Sequence, residues 1–456
     1  MSRRTVVRKG LTAAVLAGVA ASALAAGPAL TPSPSRTAPS LSAPPRGVTV
    51  TAGAAVPGPA AASPSAAIHL LSSGAGGLMP NGLALTPPMG WNGYNHFGRK
   101  VSASLVEAAA RALVSSGMKA AGYTYVNLDG GWALPARNAQ GDLQPNPHLF
   151  PQGIAPVARY VHSLGLRFGI YTSAGTKNCA GTSAGSYGHY QQDAQLFASW
   201  GVDYVKLDWC YVPFQDYRAM SHQQVSQSLA SEMGEAIAAT GRPIVYDVND
   251  THVQTDRTVT WGPDTGNLWR TTRDIRPSYA SMVQHFTANV WNYAKAGPGR
   301  WNDPDMLEVG NPGLTLTEAR AQFSLWAEMA APLIAGNNVT AMSPATRTIL
   351  TNASVIAVDQ DELGKQGHPV ASKGGHWVLA KPLQNGDCAV VLFNQTGTAA
   401  TISTSASRVG LGGAARYTLR NLWTRAVTTT AGPISARVPA HGVVMYRVSG
   451  GSGQPA

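Results

Sequence analysis

Between residues 104 and 248 the chain switches repeatedly between two hydrophobic periods. "SLVEAAARALVSSGMKAAG" carries apolar residues at helical spacing, with Ser104 three residues before Glu107 as a capping-box start, and closes on Gly122. The alternating run "YTYVNLD" follows it. "GIAPVARYVHSLG" closes on Gly165 before "LRFGIY", and "YGHYQQDAQLFASWG" closes on Gly201 before "VDYVKLD". "LASEMGEAIAATG" closes on Gly241 before "RPIVYDV". Glycine supplies the left-handed turn that ends a helix. Helices that alternate with short β-branched or aromatic strands predict a parallel sheet with crossover helices. "PPMGWNGYN" before this region, and "NLWRT", "WNDPDMLEVG" and "APLIAGN" after it, bring the count to eight strands over about 260 residues. That count predicts a (β/α)8 barrel. A doubly wound open sheet is the alternative, but no Gly-rich phosphate loop follows the first strand.

From about residue 365 the pattern changes. "HWVLAKPL", "GDCAVVLFN", "TAATISTS", "RYTLRNLWT" and "GVVMYRVS" are short alternating runs split by turn residues, which predict an antiparallel β-sandwich. The first 25 residues have another character. "MSRRTVVRKG" is basic, and "LTAAVLAGVAASALAA" is a short apolar stretch ending in a small-x-small site at Ala23-Leu24-Ala25. This is the pattern of an export signal, and Arg3-Arg4 resembles a twin-arginine signal. The expected organisation is therefore a signal over 1–25, an Ala/Pro/Ser-rich linker over 26–78, a barrel over 79–362, a β domain over 363–450 and a loose tail over 451–456. The expected location is outside the cell, with no membrane association once the signal is removed.

Charge narrows the partners. The net charge is +11, but four of the basic residues lie in the first ten, and the remaining +7 is spread without a basic run. Nucleic acid is not an expected partner. Three cysteines leave Cys179 and Cys210 as candidates for one disulfide, and Cys388, inside the apolar run "CAVVLFN", as a buried thiol.

In a barrel the chemistry gathers at the C-terminal ends of the strands. The polar residues there are Tyr94, Asp129, Tyr171, Lys206 with Asp208, Asp247 or Asn249, Arg270 with Asp274, and Asp303 with Asp305. Lys206 and Asp208 are two apart on a strand and point to one side. Carboxylates cluster here although charged residues are only 12% of the chain. Carboxylates without an obvious nucleophilic serine or cysteine suggest glycoside hydrolysis, in which one carboxyl meets the anomeric carbon and another protonates the leaving oxygen. Lys206 would keep Asp208 ionised. Asp208, Asp303 and Asp305 as ligands of a hard cation are the competing reading, weakened by the lack of His and Glu at these positions and by the positive charge of Lys206.

Seven motifs carry a resemblance: "LALTPPMGWNGYNHFG", "YVNLDGGW", "FGIYTSAGTKNCAG", "WGVDYVKLDWCY", "WRTTRDI", "WNDPDMLEVG" and "VIAVDQDELGKQG". In this order, from Leu83 to Gly367, they resemble the family 27 glycoside hydrolases, the α-galactosidase and α-N-acetylgalactosaminidase group. The resemblance implies a retaining exo-glycosidase that takes oligo- or polysaccharides and uses no cofactor or metal. It implies Asp208 as nucleophile and Asp274 as acid/base. It assigns sugar contacts to Tyr94, Asp129, Tyr171, Lys206, Asn249, Arg270 and Asp305, and a disulfide to Cys179 and Cys210. Three positions depart from the family pattern. Gly130 stands where a second aspartate is usual, Tyr94 stands for a tryptophan, and Asn249 stands for a 2-hydroxyl contact that is often Glu. These departures leave β-L-arabinopyranosides and α-glucosides as alternative substrates beside α-galactosides. An inactive sugar-binding relative is the alternative of another class.

Overall fold

The structure, a computed structural model, describes residues 78–250, 252 and 256–450. The expected export signal, nearly all of the linker and the tail lie outside the described residues. Eight strands, β1 (Met89–Asn92), β2 (Tyr125–Leu128), β3 (Arg167–Ser173), β4 (Tyr204–Asp208), β5 (Val245–Asn249), β6 (Leu268–Arg270), β7 (Trp301–Asp303) and β8 (Leu333–Ala335), form one parallel sheet in the order β7-β6-β5-β4-β3-β2-β1-β8. The ring closes just past β7. Leu307 bridges Ala335, donates its N–H to Ile334 at 2.8 Å and accepts from Gly336 at 2.9 Å. The expected (β/α)8 barrel is the observed fold.

The helices lie outside the strands for the reason their sequences give. Helix Ala103–Ser115 buries Val106, Ala109, Ala110 and Leu113, one face at helical spacing. Its ends differ from the expected ones. The N-cap is Ser102, whose hydroxyl accepts from Leu105, two residues before the expected Ser104. The helix stops before Gly117 (φ 85°), because that glycine takes up the left-handed turn first. Gly201 (φ 84°) does end the helix Tyr190–Trp200. The helix His222–Ala239 starts seven residues ahead of the periodic segment, at a capping box of Ser221 and Gln224.

The bottom of the barrel is closed by the first described residues. Leu83 and Ala84 pack on Tyr125, Tyr204, Val245 and Leu268, each near the N-terminal end of its strand. The top is left open for polar side chains.

The C-terminal part is built on a six-stranded antiparallel sheet, β14-β13-β16-β11-β10-β9, with β12 and β15 paired over it. The ranges are β9 (His368–Lys373), β10 (His376–Pro382), β11 (Cys388–Asn394), β12 (Ala400–Ser405), β13 (Tyr417–Asn421), β14 (Val427–Thr430), β15 (Pro433–Val438) and β16 (Val443–Gly450). Sequence patterning missed β9, β14 and β15, whose residues are mostly half-exposed or polar. β11 is buried at every position, which explains its unbroken apolar run. Ala389, Val391 and Phe393 point into the barrel's core, and Val390 and Leu392 point to the core under β12 and β15. Cys388 is a free, buried thiol on this strand.

The sheet meets the barrel along helix Leu316–Glu328. Trp423 Nε1 donates to Ser324 Oγ at 2.9 Å, His441 Nδ1 lies 2.8 Å from Glu318 Oε1, and Tyr279 donates its hydroxyl to Gln395 O at 2.9 Å. Lys381 of β10 is fully buried between the two parts, with Nζ 3.3 Å from Ala327 O.

Candidate active site

A cavity of about 410 Å³ opens at the C-terminal ends of the strands. Asp129, Tyr171, Lys206, Asp208, Arg270, Asp274 and Asp305 all line it, with Tyr94 at the rim. They come from β2, β3, β4, β6 and β7 or from the loops just after these strands, as the barrel dictates.

Two ion pairs organise the floor. Asp129, one residue past β2, receives Lys206 Nζ at 2.9 Å and Asn92 Nδ2 at 2.7 Å on one oxygen, and the Gly130 N–H at 2.7 Å on the other. Lys206 is therefore tied to Asp129 rather than directly to Asp208. Burial disfavours the ammonium, but Asp129 and Asp208 outweigh it and hold the pKa above the ordinary lysine value. The second pair is Arg270 with Asp305, at 2.9 Å. Asp305 also accepts the N–H groups of Ile275 and Met306, at 2.8 and 2.7 Å, and its own N–H donates to Asp303 Oδ1 at 2.7 Å. These bonds hold Asp305 at φ 76°, a conformation that a non-glycine residue keeps only when its surroundings demand it.

The two remaining carboxyls differ. Asp208 is buried, and its Oδ1 accepts the Trp209 N–H at 3.3 Å. Its Oδ2 touches Cys179 Sγ at 3.1 Å, a disulfide sulfur with no proton to give. Burial pushes Asp208 up to about 7 against the pull of Lys206, with Asp129 and Asp274 adding to the rise. The expectation that Lys206 keeps it ionised is corrected here, because loss of water outweighs a lysine already paired with Asp129. Asp274 stands at the mouth with 78% of its side chain exposed and accepts from Arg270 at 3.1 Å. The protein around it would raise its pKa, but Arg270 and Lys206 hold it below the ordinary aspartate range.

Cys179 and Cys210 are bonded, with Cα atoms 5.0 Å apart. The bond joins the loop after β3 to the end of β4. The Cys179 N–H also donates to the Tyr171 hydroxyl at 3.2 Å.

Asn249 is the expected site residue that does not line this cavity. It is buried beneath Arg270, whose guanidinium donates to its Oδ1 at 2.8 Å. Asp208, Asp303 and Asp305 do not bring their donor atoms together as a cation site among the described residues. Asp303 and Asp247 line a smaller space deeper in the barrel. Glu308 lines the main cavity and was not anticipated. Asn95 and Asn311 donate to its two oxygens, both at 2.6 Å, and burial pushes it up to about 7. Its place within "WNDPDMLEVG", three residues after Asp305, was the available signal.

Gly130 also borders the cavity. A Cβ there would meet the Tyr171 ring at 3.4 Å, ordinary contact, so the glycine leaves room that a side chain is able to fill.

Comparison with known proteins gives the family. The α-galactosidase A family profile matches residues 86–361, and the α-galactosidase C-terminal β-sandwich profile matches residues 373–448. The chain belongs to glycoside hydrolase family 27. Among its family 27 relatives, the α-galactosidase of Coffea arabica is 45% identical over 374 residues, covering 81% of this chain and 95% of the relative. The crystal structure of α-galactosidase I from Mortierella vinacea superposes with a TM-score of 0.75 at 32% identity, covering 81% of this chain and 98% of that one. The α-galactosidase of Saccharomyces cerevisiae with raffinose superposes with a TM-score of 0.74 at 28% identity, covering 81% and 99%. The protein is thus a glycoside hydrolase.

Proposed function

We propose that this family 27 enzyme is an exo-acting α-galactosidase that retains anomeric configuration. The observation that carries the reading is the presence of Asp208 and Asp274 in one cavity beside two ion-paired polar walls. Asp208 attacks the anomeric carbon while Asp274 gives its proton to the departing glycosidic oxygen. The C–O bond breaks and a glycosyl–Asp208 ester forms. Asp274, now ionised, takes a proton from water, which attacks the same carbon and releases Asp208.

In the free site the pair holds its proton mainly on Asp208, because Asp208 is the buried member and Asp274 the one beside Arg270. The reactive arrangement is the reverse. A bound sugar favours it by covering Asp274 and by presenting it with the glycosidic oxygen as a hydrogen-bond acceptor.

The glycone is read by Asp129, Lys206, Tyr171, Arg270 and Asp305, which offer charged donors and acceptors to hydroxyl groups. With the anomeric carbon between β4 and β6, the far end of the pyranose faces Asp129, Gly130 and Tyr94. The space beside Gly130 favours a second reading at this point, a glycone preference widened toward β-L-arabinopyranosides or α-glucosides. The signal-like N-terminal sequence and the Cys179–Cys210 bond support action outside the cell, where disulfides persist.

A nitrophenyl glycoside panel tests the proposal. Turnover of the α-galactoside, with β-galactose-configured product appearing from α-configured substrate only after mutarotation, is the expected result. First-formed β-galactose means inversion and refutes the mechanism. No turnover on any member of the panel refutes the enzyme assignment for this chain and favours a sugar-binding relative.

A further inference from the structure

Asp250, His252 and Asp256 stand together just past the end of β5, and the catalytic reading makes no use of them. One donor atom from each lies within 4.8 Å of the others. Asp250 is held from several sides. Its Oδ2 accepts from Ser226 Oγ at 2.6 Å and from Thr258 Oγ1 at 3.3 Å, and its Oδ1 accepts the His252 N–H at 2.8 Å. The Asp256 backbone is fixed as well, because its carbonyl accepts the Trp261 indole N–H at 2.8 Å.

The Asp256 carboxylate is different. The residue is fully buried, and among the described residues neither side-chain oxygen meets a hydrogen-bond donor. Among the described residues, the one basic group in salt-bridge reach of this pair is His252, with Nδ1 3.9 Å from Asp250 Oδ1. Two buried carboxyls without a countercharge are costly, and either a shared proton or a cation relieves them. The imidazole favours the cation. It brings a third donor to the carboxylates from the solvent side, with 60% of its side chain exposed.

We propose that Asp250, His252 and Asp256 bind a divalent first-row transition ion, zinc or manganese, with solvent completing its shell. Two carboxylates and an imidazole suit such an ion better than calcium or magnesium, which prefer oxygen alone. Ser226 and Thr258 act behind Asp250 as the groups that orient a ligating carboxylate. The ion has a positioning role. Asp250 follows directly on Asn249, which holds Arg270, and His252 lines a shelf with Cys210 and Tyr211 at the edge of the catalytic cavity. The ion fastens the segment after β5 to the helix His222–Ala239 behind it.

The test uses the untagged full chain, freed of metal by chelation. Zinc, manganese and calcium chlorides are titrated separately by calorimetry, with thermal unfolding in parallel. One zinc or manganese per chain, with a raised Tm, is the expected result. Asp256→Asn and His252→Ala lose the binding while staying folded by circular dichroism, and Ser226→Ala weakens it about 10–100-fold. The readout is binding, so it stands whether or not the glycosidase reading holds. Absence of stoichiometric binding, with Asp256→Asn as stable as the parent or more so, overturns the site in favour of a shared proton. Binding that survives both Asp256→Asn and His252→Ala overturns the location, and calcium binding without zinc or manganese overturns the choice of ion.

Discussion

Replacing Asp274 with asparagine separates the two catalytic carboxyls by their pH dependence. In the parent enzyme burial pushes Asp208 up to about 7, while Arg270 and Lys206 hold Asp274 below the ordinary aspartate range. Between those limits the pair carries one proton, so kcat/KM on an α-galactoside is bell-shaped with its alkaline limb near pH 7. In Asp274→Asn the acid is gone. With a dinitrophenyl leaving group, which needs little protonation, the first step depends on ionised Asp208 alone. The alkaline limb disappears, and kcat/KM climbs with pH and levels off. Loss of the Asp274 charge removes one of the causes of the raised Asp208 pKa, so the inflection falls somewhat below 7. With an inflection of about 6–7, the ionised fraction grows about 10- to 50-fold between pH 5 and pH 7. The measurement is kcat/KM rather than kcat, because it reports the first step even when the glycosyl-enzyme accumulates. A profile that stays bell-shaped, or is flat from pH 5 to pH 8, refutes the assignment of Asp208 as the group whose ionisation starts the reaction.

Asp208→Asn abolishes turnover with every leaving group but leaves the Tm at pH 8 unchanged or higher, since it removes a poorly hydrated carboxylate; residual turnover on activated aryl glycosides would exclude Asp208 as nucleophile. Gly130→Asp has room beside Tyr171, and it raises kcat/KM for the α-galactoside over the arabinopyranoside and glucoside, where a tenfold gain is about 1.4 kcal/mol. An unchanged ratio in the folded variant moves the control of sugar choice to Tyr94. Stability is greater at pH 5 than at pH 8. Asp208, Asp303 and Glu308 titrate at about 7 in the folded chain, and Glu328 and Asp359 at about 8, so the stability they contribute is full below the ordinary carboxylate range and drains away as pH rises to those values. A Tm that is equal or higher at pH 8 by calorimetry contradicts this.

The barrel strands were legible because each has both a hydrophobic period and a glycine-ended helix ahead of it, or a motif of its own. Catalytic candidates were legible for a related reason: a charged residue at the end of an apolar strand has little structural excuse. Asn249 shows the limit. Its position at a strand end is real, but whether its side chain faces the cavity or supports Arg270 depends on register and on the size of its neighbours. Glu308 shows the converse, because it lies beyond its strand and enters the cavity only through the turn that follows Asp305. The protonation of Asp208 was misjudged because the sequence shows neither how deeply the fold buries this carboxyl nor that Asp129 takes up the Lys206 ammonium from another strand.

The buried seam along helix Leu316–Glu328 bears on how this enzyme can be inherited and cut. Phe323 and Trp326 of that helix share one apolar core with Val391, Phe393 and Met445 of the sheet. Lys381 reaches from the sheet into a region that also buries the carboxyls of Glu328 and Asp359. A chain stopped at residue 362 would leave those carboxyls without Lys381 beside them and that core open to water. The half that holds every catalytic group is therefore no portable cassette. Shuffling between relatives succeeds where both halves travel together, and a crossover near residue 365 needs matched partners on its two sides.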